Sequence, residues 1–211
     1  MVFEDLKREV LQAALESYRE GLFAGTSGNL SIYDRKNGVM IITPTNLPYE
    51  GMKEKDLVAI NLQGEVIDGI HAPSSEWRLH SAVYAAREDC NAVVHTHSPY
   101  ATSFAVTHEE IPLILIEMVP FLGGNVRVAK FAINGTPEVG TYAVEALEKR
   151  FACLLANHGA MAIGADLAKA KLSAVYLEDA AKIYAFARNH GEVKILSKDV
   201  ELAMRKKYNL D

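Results

Sequence analysis

The residues of this chain that can do chemistry fall in three short stretches. His95-Thr96-His97 directly follows the apolar run Ala92-Val93-Val94. That run reads as a buried strand, on which side chains at i and i+2 leave the same face. Two imidazoles therefore project together, close enough to share a metal ion. A third histidine, His158, ends a second apolar run, Cys153-Leu154-Leu155-Ala156, and a carboxylate, Glu76, opens a helix upstream. Three histidines and one acid point to a metal site with a base beside it. Neutral imidazole ligands leave a divalent ion doubly positive, which suits it to polarise an oxygen and to hold an enolate. The spacing does not choose zinc over manganese, iron or cobalt. Glu76 can ligate the ion at rest and take a proton from carbon once substrate displaces it, provided the carbanion is stabilised as an enediolate. Each residue also has an ordinary role open to it. A histidine can be a satisfied core residue, and a first-turn glutamate can serve the helix dipole.

Three loops are candidates for binding an anion. Gly25-Thr26-Ser27-Gly28-Asn29 is glycine-rich and follows a helix, so its backbone N–H groups can form a nest. Pro73-Ser74-Ser75 stands before a helix, where two hydroxyls and free N–H groups suit a phosphate. Thr43-Pro44-Thr45-Asn46 brings further hydroxyls after a strand. Alone, each is an ordinary turn or cap; three of them beside a metal site carry more weight. The remaining histidines lack such company. His80 shares a helix face with Glu76 and reads as structural, although a supporting role behind the metal site is open to it. His71 stands alone, and His108 and His190 read as surface residues at helix ends.

The elements that must position these residues follow from periodicity. Apolar positions at Leu6, Val10, Leu11, Ala14, Leu15 and Tyr18 predict a helix over 4–20. Residues 30–33 and 39–43 predict a hairpin around Asn37-Gly38. Further strands are expected over 57–62, 65–67, 92–95, 113–118, 152–156 and 160–163. Helices are expected over 76–87 with Ser75 as cap, and over 100–107, 137–150, 167–188 and 197–207. Helices alternate with hairpin-like pairs rather than regular βαβ units. The fold class is therefore α/β, an α/β/α sandwich with a mainly antiparallel central sheet flanked by helices.

Composition narrows the function classes. The chain has 211 residues, 49% of them hydrophobic, enough for one core and one domain over 1–211. A formal net charge of −5 without a basic block argues against nucleic acid or a membrane surface as partner. The two cysteines, Cys90 and Cys153, lie in apolar stretches and read as buried reduced thiols, which fits a cytoplasmic setting. No signal core stands at the N-terminus, and no run approaches the ~18 apolar residues of a membrane span.

Taken together, these stretches resemble the class II aldolase/adducin family. The matching pieces occur in family order: Gly25-Thr26-Ser27-Gly28-Asn29, Ile42-Thr43-Pro44-Thr45, Pro48-Tyr49-Glu50, Pro73-Ser74-Ser75-Glu76-Trp77-Arg78-Leu79-His80, Ala92-Val93-Val94-His95-Thr96-His97, Gly123-Gly124-Asn125 and Asn157-His158-Gly159. The resemblance implies zinc-dependent retro-aldol cleavage of a ketose 1-phosphate, such as L-fuculose 1-phosphate. The products would be dihydroxyacetone phosphate and an aldehyde, lactaldehyde for that sugar. It implies one Zn2+ per chain, held by His95, His97 and His158, with Glu76 as ligand at rest and base. Gly28, Asn29, Thr45, Ser74 and Ser75 match phosphate-binding positions, and Asn46 stands in the same loop. The resemblance further implies a nine-stranded sheet and a homotetramer with active sites between subunits. Tyr208 matches a tail tyrosine that helps handle the aldehyde.

Three positions depart from the family pattern. Thr45-Asn46 replaces the usual Thr-Gly, and asparagine tolerates a left-handed backbone. The stretch Leu113-Ile114-Leu115-Ile116-Glu117-Met118 has no tyrosine where the family places a proton donor, which leaves Glu117 as the protonatable group nearby. Asn134 falls where a phenylalanine contacts the aldehyde end. Sister chemistries on the same scaffold are a pentulose-phosphate 4-epimerase and a methylthioribulose-phosphate dehydratase. Epimerase relatives usually carry aspartate at the position of Glu76. Non-catalytic adducin-like modules lose the histidine ligands that this chain keeps.

Overall fold

The structure, a computed structural model, describes residues 2–210. One eight-stranded sheet runs in the order β4-β3-β2-β1-β5-β8-β7-β6. Its strands are β1 (Asn29–Asp34), β2 (Val39–Ile42), β3 (Val58–Ile60), β4 (Val66–Asp68), β5 (Ala92–Thr96), β6 (Arg127–Ala129), β7 (Ala152–Leu155) and β8 (Gly159–Gly164). All pairs are antiparallel except β6 with β7. The sheet is thus mixed, mostly antiparallel, with its one parallel pair at the edge. It has eight strands among the described residues, not the nine that the family resemblance implies.

Strand alternation divides the core in two. Leu30, Ile41, Ala59, Val94, Leu154 and Ala162 face one side, where α1 (Val2–Arg19), α3 (Pro99–Thr107), α4 (Met118–Leu122) and α6 (Leu167–Ala187) cover them. Met40, Ile42, Val58, Val93, Cys153 and Met161 face the other side, under α2 (Trp77–Ala86) and α5 (Pro137–Leu147). This two-sided burial explains why β5, β7 and β8 read as continuous apolar runs. A last helix, α7 (Lys198–Tyr208), is capped by Ser197, whose Oγ accepts from the Val200 N–H at 3.4 Å. Both cysteines are buried and free. Among the described residues no helix is long and apolar enough to cross a membrane.

Two local expectations are corrected. Residues 113–118 are not a strand. Only Ile111 forms a bridge, to Val126, and the chain then enters α4. Pro112 offers no N–H at the head of the run. Leu113 is buried, Ile114 and Leu115 are partly buried and Ile116 is exposed, so the run does not alternate. Ser75 does not cap α2. Glu76 itself occupies the N-cap position, and Ser74 Oγ accepts the Glu76 N–H at 3.3 Å.

Candidate metal and phosphate site

Register places the first ligands. Asn29 pairs with His95 across β1 and β5, and Ser31 pairs with Val93. Alternate residues of both strands therefore turn toward α2, whose first turn brings Glu76 over the end of β5. His158 comes from the turn between β7 and β8, where Asn157 takes a left-handed conformation (φ 52°). Gly159 follows and pairs with Leu155. A Cβ on Gly159 would lie 2.3 Å from the Thr96 carbonyl oxygen, so only glycine lets the turn close this tightly on β5.

Glu76, His95, His97 and His158 present donor atoms within 4.8 Å of one another. His95 Nε2 lies 3.2 Å from Glu76 Oε2 and 2.9 Å from His97 Nε2. His158 Nε2 lies 3.2 Å from Glu76 Oε1 but is not aligned as a hydrogen bond, which leaves Oε1 buried without a hydrogen-bond partner. His95 Nδ1 lies 2.9 Å from the Ala160 carbonyl oxygen. Donation from Nδ1–H to that carbonyl turns Nε2 to the cluster as a lone pair. Converging lone pairs around a buried, orphaned carboxylate oxygen fit a divalent cation.

The electrostatics agree with a strong local demand for positive charge. Burial alone would raise the Glu76 carboxyl, yet the imidazoles of His95 and His158 outweigh it and hold the group below the usual carboxylate range. Burial likewise opposes charge on His95, and Glu76 overcomes it to raise that imidazole. His97 is pushed down to about 4, first by burial and then by the neighbouring charges at His95 and His158.

The three candidate anion loops meet beside this cluster. The Thr45 N–H donates to the Ala72 carbonyl at 3.1 Å and the Ser74 N–H to the Thr43 carbonyl at 3.0 Å, which ties the second loop to the third. A cavity of about 150 Å³ results. Gly28, Asn29, Thr45, Asn46, Ser74 and Ser75 all line it, together with Glu76, His97 and His158. Asn46 adopts φ 54°, the left-handed backbone that asparagine tolerates in place of glycine. Among the described residues no lysine or arginine lines the cavity. An anion there meets hydroxyls, backbone amides and the start of α2 instead.

Other residues fall elsewhere. Asn134 lines the cavity. Glu117 is exposed ahead of α4, and Tyr208 is exposed at the end of α7; neither lines the cavity of its own chain. Gly123-Gly124-Asn125 lies away from it as well, with the Gly123 carbonyl accepting from Arg205 at 3.0 Å. His71 pairs with Asp56 at 3.0 Å. His80 is fully buried, and burial first, then the charge at His95, lowers it to about 3. The Asn29 side chain is already committed. Its Nδ2 donates to Glu76 Oε2 at 2.7 Å and its Oδ1 faces His80 Nε2 at 2.6 Å. Sequence reasoning placed Asn29 only in the anion loop. The missed signal was its position one pairing across from His95, which appears only with the register.

Residues 8–185 match the family model described as Class II Aldolase and Adducin N-terminal domain. The chain is 38% identical over 208 residues to a protein of Bacillus thuringiensis serovar kurstaki named 5-deoxy-D-ribulose 1-phosphate aldolase, covering 99% of this chain and 97% of that one. It is 40% identical over 195 residues to the 5-methylthioribulose-1-phosphate/5-deoxyribulose-1-phosphate aldolase of Rhodospirillum rubrum, covering 92% of this chain and 86% of that one. A solved structure of L-fuculose 1-phosphate aldolase matches with a TM-score of 0.93 at 38% identity, covering 97% of this chain and 96% of that one. The metal-ready cluster, the loops around it and these matches agree, and the chain belongs to the class II aldolase and adducin family.

Proposed function

We propose that this chain is a metal-dependent aldolase that cleaves a ketose 1-phosphate into dihydroxyacetone phosphate and an aldehyde. One observation carries the reading: Glu76, whose carboxylate lies within 4.8 Å of the donor atoms of His95, His97 and His158, lines one cavity with His97, His158 and residues of the three candidate anion loops. His95, His97 and His158 would hold one cation per chain with Glu76 as fourth donor, and zinc suits this nitrogen-rich set. When bound, the ion supplies Lewis acidity to the oxygens beside the scissile bond. The loops anchor the phosphate through hydroxyls and amides and so place the three-carbon half. In cleavage the C4 hydroxyl proton passes to solvent as the C3–C4 bond breaks; C4 becomes the aldehyde carbonyl and the bond's electron pair passes to C3 of the three-carbon half. Glu76, having taken up a proton from solvent, delivers it to C3, so that no net proton is consumed; in condensation it removes that proton. The complete ligand set supports an enzyme rather than a non-catalytic module.

The cavity is small beside the roughly 300–1,000 Å³ of ordinary ligand pockets. Its size suits the phosphorylated half and leaves the aldehyde half to other walls. This supports a site completed by a neighbouring subunit, as in the homotetramer that the family resemblance implies, with Glu117 and Tyr208 reaching a neighbouring site. On this reading the chain is a single cytoplasmic domain over 1–211. L-Fuculose 1-phosphate and a 5-deoxypentulose 1-phosphate are the candidate substrates. They differ in the aldehyde released, lactaldehyde against acetaldehyde. The test is to incubate the zinc-loaded protein with dihydroxyacetone phosphate and a panel of aldehydes, then identify each ketose 1-phosphate and its stereochemistry. Condensation with short 2-hydroxy or unsubstituted aldehydes is expected. No condensation with any aldehyde, together with turnover of a pentulose 5-phosphate, would replace the aldolase by the epimerase.

A further inference from the structure

Two polar stripes face each other across the buried contact between α2 and the sheet. Glu76, His80 and Tyr84 recur every four residues and share one face of the helix. Asn29 and Ser31 alternate onto the facing side of β1. Four helical residues rise about 6 Å and two strand residues about 6.6 Å, so the stripes stay in step. Tyr84 OH lies 2.7 Å from Ser31 Oγ, and Ser31 Oγ lies 2.7 Å from His80 Nδ1. His80 Nε2 lies 2.6 Å from Asn29 Oδ1, and Asn29 Nδ2 lies 2.7 Å from Glu76 Oε2. Ser31, His80 and Tyr84 are at most 1% exposed, and Asn29 is 4% exposed.

The chemistry of the groups gives this chain one direction. A carboxylate only accepts, so Asn29 turns its amide nitrogen to Glu76 and its oxygen away. That oxygen only accepts, so His80 must carry its hydrogen on Nε2. A neutral imidazole has one N–H, so Nδ1 accepts from the Ser31 hydroxyl. The Ser31 hydrogen is then used, and Tyr84 is the donor to Ser31, with the Ser31 carbonyl at 3.0 Å as a second acceptor for the phenol. Reversing any one link sets two acceptors or two donors face to face in a buried site.

We infer that Ser31, His80 and Tyr84 are positioning residues: their one-way hydrogen-bond chain fixes the Asn29 amide, which holds the Glu76 carboxylate in its working orientation. Simple packing does not ask for these groups, because Leu79 and Val83 of the same helix already supply apolar contact. The inference rests on the proposed role of Glu76 in moving the proton at carbon.

The test uses the full-length zinc-loaded protein and two readouts. Nitrogen-15 NMR of the His80 ring reports its tautomer. Solvent deuterium exchange into dihydroxyacetone phosphate reports the Glu76 proton transfer. The wild-type ring is expected as the Nε2–H tautomer, and Ser31→Ala, which removes the donor to Nδ1, is expected to admit the Nδ1–H form. Ser31→Ala and His80→Leu should slow exchange by about 10–100-fold, with zinc content retained and KM for dihydroxyacetone phosphate nearly unchanged. His80→Gln offers an N–H and a carbonyl in the same order and should recover most of the rate. An Nδ1–H tautomer in the wild type overturns the chain. So does wild-type exchange in folded His80→Leu or, if that variant does not fold, in Ser31→Ala. Glu76→Gln separates the two readings: if it exchanges at the wild-type rate, the role of Glu76 itself fails. If it is inactive while Ser31→Ala and His80→Leu are not, only the chain fails.

Discussion

Gly159→Ala is the substitution whose consequence follows most directly from the structure. The added Cβ would stand 2.3 Å from the Thr96 carbonyl oxygen and 3.3 Å from His95 Cε1. Carbon–oxygen contacts settle near about 3.3 Å, so about 1 Å of relief is needed. The Thr96 carbonyl belongs to β5, whose residues 92–96 pair with β8, and it cannot swing aside without breaking that ladder. The start of β8 must retreat, and His158, its neighbour in the chain, moves with it. Overpacking of this kind costs about 1–3 kcal/mol. At about 2–4 °C per kcal/mol for a chain of this size, Tm falls by several degrees. The functional effect is larger. His158 Nε2 now lies 3.2 Å from Glu76 Oε1, whereas metal–ligand distances are tolerant only to about 0.2 Å. A misplacement of about 1 Å costs roughly 100-fold in rate. Calorimetry, zinc titration and cleavage assays on the same preparation measure all three effects. Gly38→Ala is the control: Gly38 has a positive φ of 68°, which Gly159 does not, and nothing lies within 4 Å of the added carbon. It should lose stability without losing zinc or rate. A Gly159→Ala protein with wild-type Tm and zinc affinity would refute the claim that the close approach of β8 to β5 sets His158.

Other consequences are simpler to state. Glu76→Gln should lower kcat by about 10²–10⁴-fold while circular dichroism shows the fold retained, because an amide cannot take the proton and its NH2 opposes that of Asn29. Removing zinc with a chelator should lower the wild-type Tm, by the equivalent of about 2.7 kcal/mol if free zinc had stood at 100 times Kd. The Tm of His95→Ala should not respond, and a matching drop in that variant would place the ion elsewhere. The Asp34 carboxylate accepts from the Asn37 side chain and from the Lys36 and Asn37 N–H groups, which lower it below its ordinary value of 3.8. Its contribution to the hairpin is therefore complete above that value and disappears as pH falls through the lowered one. Urea unfolding of wild type and Asp34→Ala should differ near neutral pH and converge in acid; an equal gap at both would count against the carboxylate.

The parts of the site that use charge were legible because few residue types can supply it. Only a strand brings His95 and His97 to one face two residues apart, and only a tight turn explains Asn157-His158-Gly159. The same holds for the hydroxyl and glycine loops, and for Asn46, whose left-handed backbone (φ 54°) is what its residue type allows. Apolar runs carry less information. Residues 113–116 are as apolar as β7, yet Pro112 and contacts to the α1/α3/α6 side make them a loop that leads into α4. β6 escaped notice because it is three residues long, partly exposed and at the sheet edge. Its partner β7 lies beyond α5 in the chain, so no local turn announces the parallel pair.

The hydrogen-bond chain behind Glu76 shows a deeper limit of local reading. Its five side chains come from two stretches, 29–31 and 76–84, and neither stretch alone implies the contact. Helical spacing places Glu76, His80 and Tyr84 on one stripe, and strand spacing places Asn29 and Ser31 on another. What joins them is the packing of α2 on β1, which sets Asn29 against Glu76 and His80, and Ser31 against His80 and Tyr84. Once that packing is known, the direction of every hydrogen bond follows from the carboxylate at one end. The same logic explains why His80 alone looked structural. A buried neutral imidazole has no visible task until the amide that it faces is seen to touch the Glu76 carboxylate.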